Sequence, residues 1–276
     1  MLPDELDDMK EKDSLSLYVK KLEDATTAQK ADASNAIVVR CDGRGFSSWT
    51  KNLNGPFDPR LKDAMVYVTK KLAEEFSAKI AYTASDEITI VMFHYGDNTE
   101  HYAGGRFQKI VSHAASIATA HFNAIVPSLI PEKAESIAMF DARAWECSIK
   151  DTFSCLMARE NSAIRNSVFM QARSVFSHKK IQGMGRQKLK ILLQESGHSW
   201  DDIPDWAKRG VFIKKVSEEL SLTEEELEKL PPKHNARLTP DFKFWRNEYK
   251  EVALPSISEN KPLAQAKLYP FIIVGS

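Results

Sequence analysis

Ala36-Ile37-Val38-Val39-Arg40-Cys41-Asp42-Gly43 is the stretch on which the reading of this chain turns. A β-branched apolar run that ends in Asp-Gly predicts a buried strand over 36–41 and then a tight turn. Downstream, Asp58-Pro59 predicts an N-cap with proline at the first helical position. Leu61, Ala64, Met65, Val68, Leu72 and Phe76 then recur at helical spacing. Ile80–Thr83 and Ile88–Phe93 read as strands joined through Ala84-Ser85-Asp86-Glu87, a hairpin connection. A helix over 105–123 follows, with Phe107, Ile110, Ala114, Ile117, Ala118 and Phe122 on one side, and 136–145 reads as a fourth strand. Strand, helix, hairpin, helix, strand is the split β-α-β order of an α+β, ferredoxin-like (βαββαβ) domain. In that topology the carboxyl end of the first strand and the hairpin turn lie at one end of the sheet. Asp42 and the Asp86-Glu87 pair are therefore expected to meet.

The whole-chain numbers are quieter. The 276 residues carry 38 Lys+Arg and 38 Asp+Glu, so net charge names no partner, and 43% hydrophobic content is ordinary for a globular chain. Three cysteines without a CxxC pair, Cys41, Cys147 and Cys155, argue against a disulfide framework or a zinc ribbon and for a reducing compartment. Asp4, Glu5, Asp7 and Asp8 stand where a secretory peptide would be basic and then apolar, and no apolar run has the length of a membrane span. A cytoplasmic protein without membrane contact is expected. The chain divides into a peripheral segment (1–35), a catalytic domain (36–146) and a mainly helical C-terminal region (147–276). Helices are expected near 148–173 and 186–196, an acidic one near 217–229, and only weak periodicity from Pro231 onward.

Carboxylates crowded into a partly solvated turn repel one another, and either a raised pKa or a divalent cation relieves the repulsion. Asp42, Asp86 and Glu87 are the candidate catalytic acids. Asp42 and Asp86 with the carbonyl of Gly43 could hold magnesium, which keeps waters and shares positions with substrate phosphates. Two such ions about 4 Å apart serve in-line displacement at phosphorus. The plainer reading takes Asp42-Gly43 as a turn signal and Asp86-Glu87 as a solvated hairpin tip. Gly43-Arg44-Gly45-Phe46-Ser47 offers small residues whose main-chain N–H groups could approach phosphates, with Arg40 and Arg44 as countercharges. It is no Walker A loop, since GxxxxGK[ST] is absent. Residues 161–194 contain no acid, while Arg165, Arg173, Lys179, Lys180, Arg186, Lys188 and Lys190 supply positive charge. That segment is either a phosphate-backbone surface or an ordinary solvated helix face. HExxH is absent, and neither the serines nor the cysteines show the signature of a nucleophile.

The segments Arg40–Phe46 and Ser85-Asp86-Glu87, joined through Pro56-Phe57-Asp58, together resemble the tRNA-His guanylyltransferase family. Phe140-Asp141-Ala142-Arg143, Arg165-Asn166-Ser167, Phe176-Ser177-His178-Lys179 and Trp200–Pro204 running to Lys208-Arg209-Gly210 extend the resemblance over roughly 36–215. The Phe176 and Trp200 motifs resemble the bacterial and phage branch more than the eukaryotic one. Where the eukaryotic branch has His-Ile-Asn-Asn this chain reads Ala163-Ile164-Arg165-Asn166, and Ser162 stands where the bacterial branch usually has aspartate. The resemblance implies a palm-type domain, as in polymerases, working in the 3′-to-5′ direction. ATP or GTP activates a 5′-phosphorylated tRNA end, and the 3′-hydroxyl of an incoming nucleoside triphosphate then attacks that end. By the same resemblance Asp42, Gly43 and Asp86 bind two Mg2+, and Glu87 is the adjacent acid. Gly43–Ser47 with Ser85 contact nucleotide, and Arg143, Arg165, Asn166 and Lys179 face triphosphate or RNA. Lys180 and Arg186 belong to the basic stretch, and a homotetramer is implied. An RNA-binding protein without turnover and a palm-fold nucleotide cyclase are the alternatives.

Overall fold

The computed structural model describes residues 3–94, 100–239, 242–254 and 256, with side chains from residue 14 onward. After helix α1 (Pro3–Thr27) come β1 (Ala36–Gly43), the short α2 (Phe46–Trp49), α3 (Pro59–Glu75), β2 (Ile80–Ala84), β3 (Glu87–Met92), α4 (Phe107–Leu129) and β4 (Phe140–Cys147). Then follow α5 (Thr152–Val175), α6 (His178–Ile181), α7 (Arg186–Glu195), α8 (Asp205–Arg209), β5 (Val211–Ser221), α9 (Glu224–Lys229), α10 (Asn235–Leu238) and β6 (Lys243–Val252). One antiparallel sheet holds all six strands in the order β4-β1-β3-β2-β5-β6. The first four are the split β-α-β core expected from the sequence, with β1 and β2 running the same way on either side of β3.

The two-residue period of a strand sorts the side chains of β1. Ile37, Val39 and Cys41 face α3 and α4, whose Met65, Leu72, Ile110 and Phe122 are fully buried against them. Ala36 and Val38 face the other way and pack with Tyr82, Phe93 and the first turns of α5 through Phe153 and Leu156. A third cluster, built by the second half of α5 with α6, α7 and α8, closes around Val168, Leu189, Leu193 and Trp200. α1 is peripheral as expected: Leu15, Tyr18 and Leu22 are each more than half exposed.

Two expectations are corrected. The acidic helix expected over 217–229 is a strand up to Ser221 and helical only from Glu224, where Thr223 and Glu226 form a capping box. The reason lies far along the chain. β6 pairs with β5 over ten positions, and its Lys243 and Lys250 bond Glu219 and Glu218 at 2.9 and 2.5 Å, so acids expected on a helix are half of a cross-strand charge ladder. The region beyond 147 accordingly contributes two strands to the sheet as well as helices; residues 257–276 lie outside the described residues. β4 starts at Phe140, four residues later than expected, because the Asn123 side chain bonds both the N–H and the carbonyl of Ala138 and so takes the place of a strand partner. Among the described residues no helix is long and apolar enough to cross a membrane.

Candidate active site

The site begins where β1 leaves the sheet. Asp42 lies directly opposite Glu87 of β3 on one side and Asp141 of β4 on the other, so three acids form one row across adjacent strands. Arg40, two residues earlier on the same face, lies opposite Thr89 and Arg143. The Arg40 Nε and Thr89 hydroxyl are buried without a hydrogen-bond partner, although neither residue lines the cleft described below.

Gly43 ties the strand end to the hairpin. Its N–H donates to the Asp86 carbonyl at 3.1 Å, a direct main-chain link between the two aspartate segments. A Cβ on Gly43 would stand 2.2 Å from Cδ2 of Phe46, so only glycine lets that ring fold back over the strand. Phe46 is in turn held by Trp49, Phe122 and Phe140 at ring-centre distances of 5.3, 5.4 and 5.2 Å. Each such contact adds roughly 0.5–1.5 kcal/mol beyond its area burial. Gly45, at φ 67°, turns the chain into α2, where Ser47 is exposed.

Ser85 and Asp86 form the two-residue turn of the β2–β3 hairpin, since Ala84 and Glu87 pair. Ser85 sits at φ 55°, a left-handed conformation costing a non-glycine residue roughly 1–2 kcal/mol. That turn leaves Asp86 within electrostatic reach of Asp42. Burial raises the Asp86 pKa, and the charges of Asp42 and Glu87 raise it further, against the lowering effect of its own N–H and the Ser85 hydroxyl. Among the described residues no cation pairs with Asp42 or Asp86. Glu87 differs, because Arg159 of α5 lies 3.5 Å from its carboxylate. Cys41, on the opposite face of β1, is pushed up to about 12 by burial and then by Asp141 and Asp42, so its thiol is an inert core group.

Part of this group lines a cleft of about 990 Å³. Asp42, Phe46, Ser47, Ser85, Asp86 and Glu87 line it, with Asn166 contributed by α5. The sequence reading passed over Lys51, Lys62 and Arg159, and counted Arg173 only as part of the basic stretch; all four line the cleft. For α5 there was a signal: 159, 166 and 173 are seven apart, two helical turns each, and so share one face. The wall over 50–58 is braced by Asp58, which is 3% exposed and accepts from the main chains of Asn54 and Arg60, both at 3.0 Å, and from the Arg60 guanidinium at 2.7 Å. The Arg60 hydrogen bond is the largest influence holding the Asp58 carboxyl below its ordinary range.

The remaining sequence-derived residues lie elsewhere. Gly43, Arg44, Gly45 and Arg143 are outside the cleft lining, and Arg143 pairs loosely with Asp141 at 3.4 Å. Arg165 is exposed on α5 beside Asn166, and Lys179, Lys180 and Arg186 are exposed on α6 and α7, away from the carboxylates. Lys180 stands over the Phe176 ring at 4.4 Å.

The donor set suits a hard cation. Among the described residues no three His, Cys, Asp or Glu side chains gather into a metal cage. Two mutually repelling aspartates and a main-chain carbonyl would leave most coordination positions to water and substrate, as magnesium prefers.

A family model described as tRNAHis guanylyltransferase matches residues 16–148. An uncharacterized protein of Acanthamoeba polyphaga mimivirus is 30% identical over 210 residues, covering 67% of this chain and 72% of that one. The chain belongs to the tRNA-His guanylyltransferase family. It is a nucleotidyltransferase by that membership. Among solved structures, a bacterial tRNA-His guanylyltransferase-like protein in complex with ATP aligns with TM-score 0.76 and 28% identity, covering 95% of this chain and 100% of its own. A GTP complex of such a bacterial protein aligns with TM-score 0.71 and 26% identity over 94% and 99% of the two chains. The six-stranded arrangement therefore belongs with the tRNA-His guanylyltransferase-like palm structures.

Proposed function

We propose that this chain adds nucleotides to the 5′ end of tRNA or a tRNA-like RNA, templated and in the 3′-to-5′ direction, after ATP or GTP activates the 5′-phosphate. The observation that carries the reading is the Gly43–Asp86 main-chain bond, which fixes Asp42 and Asp86 together in the lining of a cleft in a chain of this family. The ATP and GTP held by the two bacterial relatives support nucleoside triphosphates as its substrates.

In this reading Asp42, Asp86 and the Gly43 carbonyl bind two magnesium ions, and the loop 43–47 with Ser85 places the nucleotide. Magnesium held there supplies activation of the attacking hydroxyl and stabilisation of the leaving oxygen. The chain itself orients the reactants. Phe46 fixes the loop, the Ser85 turn sets Asp86, and Lys51, Lys62 and Arg173 in the cleft lining offset phosphate charge. Arg40, Arg44, Arg143, Arg165, Asn166 and Lys179 are assigned to triphosphate or RNA, and Lys180 and Arg186 to the RNA surface. A homotetramer in which tRNA crosses subunits completes the proposal, with a four-chain mass by light scattering as the expected result.

The test is incorporation of labelled nucleotide into a 5′-truncated, 5′-phosphorylated tRNA with magnesium and ATP. Activity is expected in the wild-type chain and absent from Asp42→Ala and Asp86→Ala proteins that still melt cooperatively. Undiminished incorporation by both variants overturns the reading.

A further inference from the structure

We infer that Arg159 is a positioning residue that holds Glu87 out of the metal ligand set, leaving Asp42 and Asp86 as the two side chains that take the divalent cation. This rests on the nucleotidyl-transfer reading above and adds to it a residue outside the sequence motifs.

Asp42, on the middle strand, has an acid directly opposite on each side, and like charges in that relation repel. Each flanking acid has its own arginine: Glu87 with Arg159 at 3.5 Å and Asp141 with Arg143 at 3.4 Å. The two pairs differ in burial. Asp141 and Arg143 are 58% and 55% exposed, which makes their pairing weak, whereas Glu87 and Arg159 are 30% and 24% exposed and far less screened. Arg159 is also anchored from below, because Phe153 and Leu156, about two turns and one turn earlier on α5, are buried against the sheet. A side chain held at both ends keeps Glu87 in place. Released, Glu87 stands beside Asp42 and adjacent in sequence to Asp86, close enough to donate an oxygen to the same ion. That oxygen would take a position that magnesium otherwise leaves to water or to substrate phosphate.

The experiment measures Mn2+ binding to the full chain without nucleotide, by calorimetry, alongside steady-state incorporation. Arg159→Ala is expected to bind Mn2+ about fivefold more tightly, from one additional nearby negative charge, while kcat falls and KM for the nucleotide stays within about twofold. Arg159→Lys is expected to keep the wild-type metal affinity, and Arg159→Ala with Glu87→Gln to return to it. Glu87→Gln alone leaves the Arg159 charge uncompensated and is expected to weaken Mn2+ binding by no more than about the same fivefold; a loss as large as that of Asp42→Ala makes Glu87 a ligand and overturns the inference even if Arg159→Ala does not fold. Unchanged Mn2+ affinity in a folded Arg159→Ala protein, with or without a raised nucleotide KM, overturns it too. Asp42→Ala separates the levels. If that variant loses Mn2+ while Arg159→Ala is unaffected, only the role of Arg159 fails; if it binds Mn2+ like the wild type, the metal reading beneath fails as well.

Discussion

The carboxylate row on β1 and β3 and the basic stretch on α6 and α7 are both built from charged residues, yet the fold treats them oppositely. Asp42, Asp86 and Glu87 are set by strand register and by a main-chain bond from Gly43, so their spacing follows from backbone hydrogen bonds that the whole sheet enforces. Lys179, Lys180 and Arg186 are exposed on two short helices and lie apart from the cleft. Their long side chains take their positions from whatever they meet. A reacting centre needs the first kind of placement. A surface that follows a phosphate backbone works with the second, because counterion release depends on the number of charges more than on their exact geometry.

The sharpest way to break this contrast is to remove one charge from each region. Asp42→Ala or Asp86→Ala is expected to lower incorporation by at least about 10³-fold, roughly 4 kcal/mol of barrier, with the fold intact by circular dichroism. Reversal of Lys179, Lys180 and Arg186 to Glu is expected to weaken tRNA binding by about tenfold or more and to reduce the salt dependence of log K by up to about three, while incorporation at saturating RNA changes little. Equal damage to the saturated rate by both sets would mean that the basic stretch belongs to the reacting centre.

Smaller effects distinguish carboxylates that stabilise the fold from those that strain it. Asp58, itself buried, accepts four hydrogen bonds, one each from the main chains of Asn54 and Arg60 and two from the Arg60 guanidinium, and Asp58→Asn is expected to cost about 1–3 kcal/mol in urea melts. The Arg60 interaction, with the main-chain donors, holds the Asp58 carboxyl below its unfolded value. Its contribution is therefore present above the unfolded pKa and is lost as pH falls through the lower folded value, and the Asn variant should lose that part of its acid sensitivity. Asp86 has the opposite sign. Burial and its acidic neighbours raise it, so its charged form disfavours the metal-free fold once pH exceeds the unfolded value, and the disadvantage is fully developed above the raised folded value. Asp86→Asn should raise the melting temperature of metal-free protein while abolishing incorporation. A fall in melting temperature would place Asp86 among the stabilising acids.

The two regions also differ in how far the sequence revealed them. The hairpin turn at Ser85-Asp86 and the strand ending at Asp42-Gly43 were readable because β-branched runs and turn residues are local signals. Once the strand-helix-hairpin order was known, topology alone brought the aspartates to one end of the sheet. The ion pair of Glu87 with Arg159 spans 72 positions, and the cleft face of α5 becomes a wall only when that helix lies across the open face of the sheet. The acids at 218–219 show the same limit from the other side. Nothing near them in sequence says that Lys243 and Lys250 will neutralise them as a strand.

By itself, then, the sequence determined the palm core and the pair Asp42 and Asp86, because hydrophobic period, turn chemistry and connection handedness act over a few residues or one crossover. Only the tertiary structure decided which charges stay unpaired at that edge, since pairing depends on distance in space: Arg159 reaches Glu87, Arg143 reaches Asp141, and no cation among the described residues pairs with the two aspartates.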